Sequence, residues 1–252
     1  MFRPDFDNVC ASAEAKMGLL RRSPLGYFIA SMLAGAYVAF GGFVSVTVGG
    51  LLTAAGSGWT KIAAGFAFTA ALSLVIMAGS ELFTGNNLVL GAAALAKRVK
   101  WADVVKLWAV CWLGNLAGSW AAVLLYKATG QDTGATAAYF AALAVAKTSL
   151  PIGQMLARGV LCNILVCLAV WCAARMKSES GKLIMVFWCI FVFMVCGFEH
   201  SVANMSIVGT ALLDGAVTFG GYALNLTVVT LANMVGGICF VALPYYIVSR
   251  KA

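Results

Sequence analysis

The chain has 252 residues, of which 62% are hydrophobic and 10% are charged, and its mean hydropathy is +0.94. A soluble domain carries about a quarter charged residues, so this chain lacks the polar surface that a water-facing globule needs. The net charge of +8 lies in short basic clusters between apolar runs, which excludes a nucleic-acid-binding face and predicts an all-α integral membrane protein.

Residues 1–24 are predicted to form an amphipathic segment on the cytoplasmic side of the membrane. They contain charged residues and lack the apolar core of a cleavable signal peptide. Their apolar residues recur at helical spacing and are Phe6, Val9, Ala13, Met17 and Leu20. Two placements remain open: a helix lying on the membrane surface, and a helix packed on neighbouring loops.

Six apolar stretches follow, and they are predicted at 26–52, 60–95, 102–126, 150–174, 183–213 and 222–248. Four of them have about the length that crosses ~30 Å of hydrocarbon. The second and fifth stretches are longer, and each is interrupted by a polar segment that contains glycine. Residues 25–252 are therefore predicted to form one transmembrane channel domain of six helices.

The basic residues predict the orientation of these spans. Thirteen of the 17 lie on one side of the predicted membrane, and they are Arg3, Lys16, Arg21, Arg22, Lys97, Arg98, Lys100, Lys106, Arg175, Lys177, Lys182, Arg250 and Lys251. By the positive-inside rule, both termini face the cytoplasm.

The two interruptions repeat one pattern. Residues 79–86 read Gly-Ser-Glu-Leu-Phe-Thr-Gly-Asn, and residues 197–204 read Gly-Phe-Glu-His-Ser-Val-Ala-Asn. Gly, Glu and Asn recur at an offset of 118 residues, which also relates Asn115 to Asn233. Three spans per half invert the second copy, so we predict two inverted three-helix repeats with a broken second and fifth helix. Such repeats place a transport site between the breaks.

The breaks predict how the backbone and an anion are held. Half-helix N-termini present N–H groups and positive dipole ends, which favour anions. Glu81 and Glu199 adjoin the breaks, and we interpret them as acceptors for the freed N–H groups, since an exposed pore carboxylate would repel anions. Amides within the spans are expected to bond broken backbone or to join helices; they are Asn115, Asn163, Asn204 and Asn233.

His200 is the chain's single histidine, and it lies in the second break. Ionisable residues inside a membrane are costly and are functional by default, and histidine titrates near neutral pH, so this residue could exchange a proton with a weak acid. One histidine and no CxxC pair among eight cysteines favour no metal and no cofactor. Lys147 has two open interpretations: an attractor for anions, or a lysine that extends to the interface.

The motifs resemble the formate/nitrite transporter family, over nearly the whole chain. The matching stretches are the first break at 79–86, Ala146-Lys147-Thr148, the run 158–171, and the second break at 197–205. The opening segment, with Pro24-Leu25-Gly26, most resembles the nitrite-channel branch of the family.

The resemblance implies an aquaporin-like fold and a homopentamer, with one pore per protomer, in a bacterial inner membrane. It implies that Thr84 and His200 face each other at the central site, with Lys147 nearby and with Asn163 and Asn204 lining or supporting the path. The residues that it implies for the constrictions are Phe68 and Phe193 on the outside, Leu72 and Leu82 on the inside, and Val166 between them.

The function expected from these features is a channel or transporter for small monovalent anions of weak acids, and no enzyme activity. Nitrite is the first expectation, and formate and hydrosulfide are alternatives. Either His200 or relayed water donates a proton so that the neutral acid crosses, or the anion passes unprotonated. A neutral-solute channel of aquaporin type is a different class, but the chain lacks its paired Asn-Pro-Ala breaks.

Overall fold

The computed structural model describes residues 2–250, and its regular structure in that range is helical throughout. The helices are α1 (Arg3–Arg22), α2 (Pro24–Ala54), α3 (Thr60–Phe68), α4 (Ala70–Met77), α5 (Phe83–Leu95), α6 (Trp101–Ala128), α7 (Gly134–Thr148), α8 (Ile152–Arg175), α9 (Glu179–Cys196), α10 (Ser201–Leu213), α11 (Phe219–Gly237), a π-helical turn (Ile238–Ala242) and α12 (Leu243–Ser249). Six helical segments in this range are long and apolar enough to cross a membrane, as the sequence predicts.

The second and fifth spans are broken at the predicted places. The second consists of α3 and α4, a break, and the half-helix α5; the fifth consists of α9, a break, and the half-helix α10. Gly79 and Gly197 open the two breaks with φ values of 78° and 73°. Only glycine adopts this left-handed backbone without steric cost, which explains why glycine recurs at both positions.

Helix α7 was not predicted; it lies in the connection between the third and fourth predicted spans. The structure forms a 15-residue helix there, which is too short to cross the membrane. Its sequence is rich in alanine, the strongest helix former, and Pro151 separates it from α8. Lys147 lies in its last turn, where a cation is favourable to the helix dipole.

The two halves cross their helices in the same way. A Cβ atom on Gly118 of α6 would lie 1.8 Å from the Met32 carbonyl oxygen of α2. A Cβ atom on Gly236 of α11 would lie 2.4 Å from the Val160 carbonyl oxygen of α8. Since neither crossing has room for a side chain, backbone lies directly against backbone in both halves.

Helix α1 packs against the transmembrane helices. Its buried residues are Phe6, Val9, Cys10, Ala13 and Met17, and its neighbours include α2, α5 and α8. Burial raises the pKa of the Cys10 thiol to about 11. Helix α1 therefore packs on the protein, with helices rather than loops as its partners.

Candidate functional site

Asn115 holds the first break in place. Its Oδ1 accepts a hydrogen bond from the Phe83 backbone N–H at 2.9 Å, at the start of α5. Its Nδ2 donates to the carbonyl oxygens of Ser31 at 2.7 Å and Glu81 at 2.8 Å. One buried amide thus satisfies both a freed donor and a freed acceptor of the broken helix.

Asn233 does the same for the second break. Its Oδ1 accepts from the Ser201 backbone N–H at 2.9 Å, and its Nδ2 donates to the carbonyl oxygens of Gly159 at 2.8 Å and Glu199 at 3.0 Å. The repeat that relates Asn115 to Asn233 in sequence is therefore a repeat of contacts as well.

The interpretation of Glu81 as an acceptor for freed backbone N–H groups is wrong. Its Oε1 accepts from Lys16 Nζ at 2.6 Å, and its Oε2 accepts from the Tyr27 hydroxyl at 3.1 Å and from Asn86 Nδ2 at 3.0 Å. The amides already satisfy the break, and a largely buried carboxylate needs a cation and further donors to remain charged.

Glu199 requires the same correction. Its Oε1 accepts from Lys147 Nζ at 2.9 Å, and its Oε2 accepts from Asn204 Nδ2 at 2.7 Å. The Asn204 amide also donates to Asn225 Oδ1 at 2.8 Å. The side chains of Lys147 and Glu199 are 17% and 3% exposed, so Lys147 is an ion-paired lysine of the interior rather than one that extends to the interface.

His200 and Thr84 meet at the centre of the fold, as the resemblance implies. His200 is the N-cap residue of α10, and its Nδ1 accepts from the Ala203 backbone N–H at 3.1 Å. Its Nε2 lies 2.9 Å from Thr84 Oγ1. Because Nδ1 is an acceptor here, a neutral ring carries its proton on Nε2 and donates to Thr84. The hydroxyl proton of Thr84 is then free to bind another acceptor.

A narrow chamber adjoins His200. The Phe193 ring stacks on the imidazole, with centroids 5.9 Å apart, and Phe68 meets Phe193 edge to face at 5.9 Å. The chamber has a volume of about 10 Å³, roughly that of one water-sized sphere. Its lining consists of Val38, Phe68, Ala71, Leu72, Leu82, Val166, Ile190, Phe193 and His200. This set includes all five residues named for the constrictions.

A cavity of about 190 Å³, called the outer vestibule after the orientation that the basic residues predict, reaches the chamber from one side, since Phe193 and His200 line both. Its charged lining residues are three cations and one carboxylate: Lys61, Lys147, Arg158 and Glu199. Asn204 also lines it. The excess of positive charge favours the entry of anions.

A cavity of about 570 Å³, called the inner vestibule after the same predicted orientation, reaches the chamber from the other side, since Leu72 and Leu82 line both. Its charged lining residues are Lys16, Glu81 and Lys182. Three cavities that share lining residues therefore follow one another through the chain.

Asn163 supports this path rather than lining it. The residue is fully buried and lines none of the three cavities. Its Nδ2 donates to Asn87 Oδ1 at 2.9 Å and to the carbonyl oxygens of Asn233 at 2.6 Å and Thr84 at 3.3 Å. It therefore positions the half-helix that carries Thr84.

Lys16 is the main site residue that the sequence analysis missed. Lys16 precedes Met17, a buried residue of α1. The helical spacing of the apolar residues therefore indicated that Lys16 lies near the apolar face of this helix. The sequence offered no indication that its partner would be Glu81. Val38 and Ile190, which line the chamber, are ordinary apolar residues in sequence and could not have been singled out.

The comparisons with known proteins bear out the resemblance to a family. The family model "Formate/nitrite transporter" matches residues 4–247. The nitrite transporter NirC of Salmonella typhimurium is 36% identical over 98% of this chain and 93% of its own length. A probable formate transporter of Methanothermobacter thermautotrophicus is 40% identical over 90% of each chain.

Two solved structures share the fold. A channel described as an FNT family ion channel superposes with a TM-score of 0.92 at 34% identity, over 98% of this chain and 99% of that one. A pentameric formate channel with formate bound superposes with a TM-score of 0.78 at 28% identity, over 92% and 99%. The relatives are transporters and channels rather than enzymes, as the sequence analysis predicts. The chain is a multi-pass membrane protein and belongs to the formate/nitrite transporter family.

Proposed function

We propose that this protein passes small monovalent anions of weak acids through each protomer, with nitrite as its principal substrate and formate and hydrosulfide as further ones. The observation that carries the proposal is the bond between His200 and Thr84, two polar groups buried beside an otherwise apolar chamber. Polar and ionisable groups at that depth are costly, and where they occur they mark a functional site by default.

The first step is the concentration of anions in the outer vestibule. Lys61, Lys147 and Arg158 line it, and Glu199 neutralises only one of these charges, through its ion pair with Lys147. The resulting field raises the local anion concentration, and it does so less at high salt.

The second step is the loss of charge before the chamber. An anion in the middle of the membrane costs several kcal/mol. Protonating an acid with a pKa near 4 costs about 4 kcal/mol at pH 7 but only about 1.5 kcal/mol at pH 5. The neutral acid therefore becomes the cheaper species as the pH falls, and flux of the total anion should rise up to about tenfold per unit of pH.

The geometry of His200 favours relayed water over the imidazole as the source of this proton. An imidazolium has a proton on each ring nitrogen, so it would lose the bond that Nδ1 accepts from Ala203 at the start of α10. A neutral His200 keeps this cap and orients Thr84, whose hydroxyl proton is free to bind the substrate. In this mechanism both residues hold the solute, and vestibule water exchanges the proton.

We further propose that the protein is a homopentamer in the bacterial inner membrane with both termini in the cytoplasm. The pentameric formate channel, whose fold the chain shares, supports the assembly. The distribution of the basic residues supports the orientation.

The test is flux into proteoliposomes of nitrite, formate and hydrosulfide, each at acidic and neutral pH. Thr84→Val removes the hydroxyl with little change in volume, and Thr210→Val is the matched control, because Thr210 is a buried threonine of the other half-helix bonded to the Ser206 carbonyl. We expect Thr84→Val alone to lower the flux. If water or glycerol passed and none of the anions did, the protein would be a neutral-solute channel and the proposal would fail.

A further inference from the structure

A second polar pocket lies away from the path, where α1, the end of α5 and the end of α12 meet. Its volume is about 280 Å³, and its lining consists of Arg3, Phe6, Asp7, Ala96, Arg98, Tyr246, Ser249 and Arg250. Neither the transport path nor the fold accounts for three arginines around one pocket.

The arginines exceed the acidic groups that face them. Arg3 Nε pairs with Asp7 Oδ2 at 2.8 Å, the one carboxylate in the lining. Arg98 binds Glu14 through two nitrogens at 2.7 and 2.9 Å and lies 3.9 Å from Asp7. Within residues 2–250, Arg250 forms no ion pair, and its guanidinium lies over the Tyr246 ring at 5.1 Å. The pocket therefore keeps free guanidinium donors and net positive charge.

Ser249 is a second and independent indication of a ligand. The residue is 3% exposed, it lines the pocket, and its hydroxyl has no hydrogen-bond partner among the described residues. A buried hydroxyl without a partner is unfavourable, because it has lost its hydrogen bonds to water, so such groups ordinarily bind something.

The position and the walls of the pocket indicate where the ligand comes from. Helix α12 ends the sixth span, so the pocket lies where that span leaves the membrane, among the basic clusters that predict the cytoplasmic side. Phe6 and Tyr246, with centroids 6.0 Å apart, form an apolar wall beside the arginines. Arginine forks match phosphate oxygens, and basic pockets between helices at this level suit anionic headgroups.

We propose that this pocket binds the phosphate of an anionic phospholipid of the adjoining leaflet. The lipid joins α1, through Arg3, to α12, through Ser249 and Arg250. Since α1 also supplies Lys16 to Glu81 in the inner vestibule, the bound lipid stabilises the wall of that vestibule. The proposal does not depend on which anion the channel carries.

The experiment measures thermal unfolding of the purified protein in neutral detergent, titrated with phosphatidylglycerol, with phosphatidylcholine and with inorganic phosphate. We expect phosphatidylglycerol alone to raise the Tm. The double variant Arg3→Gln, Arg250→Gln should lose the effect, with the apparent affinity weakened by about fivefold for each arginine. The double variant Arg22→Gln, Lys177→Gln is the control of equal charge, because both residues are exposed and lie outside the pocket.

Native mass spectrometry of the same variants counts the lipids retained per protomer, so it reports binding even where a variant lowers the starting Tm. Equal stabilisation of the Arg3→Gln, Arg250→Gln variant and the wild type, or an equal loss in the Arg22→Gln, Lys177→Gln control, would overturn the proposal. Equal stabilisation by inorganic phosphate would overturn the assignment to a lipid and leave a site for soluble phosphate.

Discussion

Leu82 and His200 occupy equivalent positions in the two halves of the chain. Each is the residue from which a half-helix begins, with similar extended backbones of φ −98°, ψ 123° and φ −114°, ψ 115°. At this position the first half has the apolar side chain of Leu82, and the second half has the imidazole of His200; both line the chamber. A symmetric backbone thus presents asymmetric chemistry to the solute.

The first prediction concerns the cap at this position. Asparagine is a good N-cap residue, so the side chain of His200→Asn can accept from Ala203, and it keeps an uncharged N–H donor that does not titrate. We expect this variant to fold, to keep flux within a few-fold of the wild type and to keep its pH dependence. His200→Ala should lose about 1 kcal/mol of stability with the cap, and most of the flux. Proteoliposome flux between pH 5 and 8 measures both; loss of the pH dependence in His200→Asn would make the imidazole the proton source.

The second prediction concerns the ion pair of Lys147 and Glu199. Removal of one partner leaves the other charge buried and unpaired, so Lys147→Gln or Glu199→Gln should each cost about 3 kcal/mol of stability. The double variant should regain much of this loss, because neither charge remains. A double-mutant cycle of denaturation midpoints checks the coupling; additive losses would show that the pair is solvated in the folded protein.

The third prediction uses the helix crossings. Gly118→Ala and Gly236→Ala place a Cβ atom against backbone carbonyls that cannot move away cheaply, so each should lower the Tm and the yield of folded protein. Gly153→Ala is the control, because a Cβ atom there would meet no atom within 4 Å. An unchanged Tm for Gly118→Ala would mean that the helices separate at that crossing without cost.

The fourth prediction uses Cys10 as a reporter of α1. Burial raises the pKa of its thiol to about 11, so little thiolate is present at pH 8, and access is blocked as well. In a background where Cys10 is the only cysteine, maleimide labelling should be slow. Lys16→Met should accelerate labelling at least several-fold by releasing α1 from Glu81, whereas the exposed Arg22→Met should not. Equal rates in the two variants would show that the ion pair does not hold α1.

The spans and both breaks were predictable, because hydropathy and the repeat of Gly, Glu and Asn are local patterns that the chain displays directly. The roles of Glu81 and Glu199 were not predictable from the sequence. Whether Glu81 accepts from a backbone N–H or from Lys16 depends on which donors the fold brings near it, and Asn115 had already satisfied the backbone. The chamber residues came from the resemblance, since an apolar residue inside a membrane carries no sign of whether it faces a pore.

The crossings at Gly118 and Gly236 also constrain how the path can open. At these crossings, backbone packs directly on backbone, so no flexible side chains between the paired helices can rearrange. We therefore expect α2 and α6 to move as one rigid pair, and α8 and α11 as another. A chamber of about 10 Å³ must still widen to admit a solute of three heavy atoms. We expect that widening to come from rotamer changes of Phe193, Leu72 and Leu82, so that side chains gate permeation while the helical frame stays fixed.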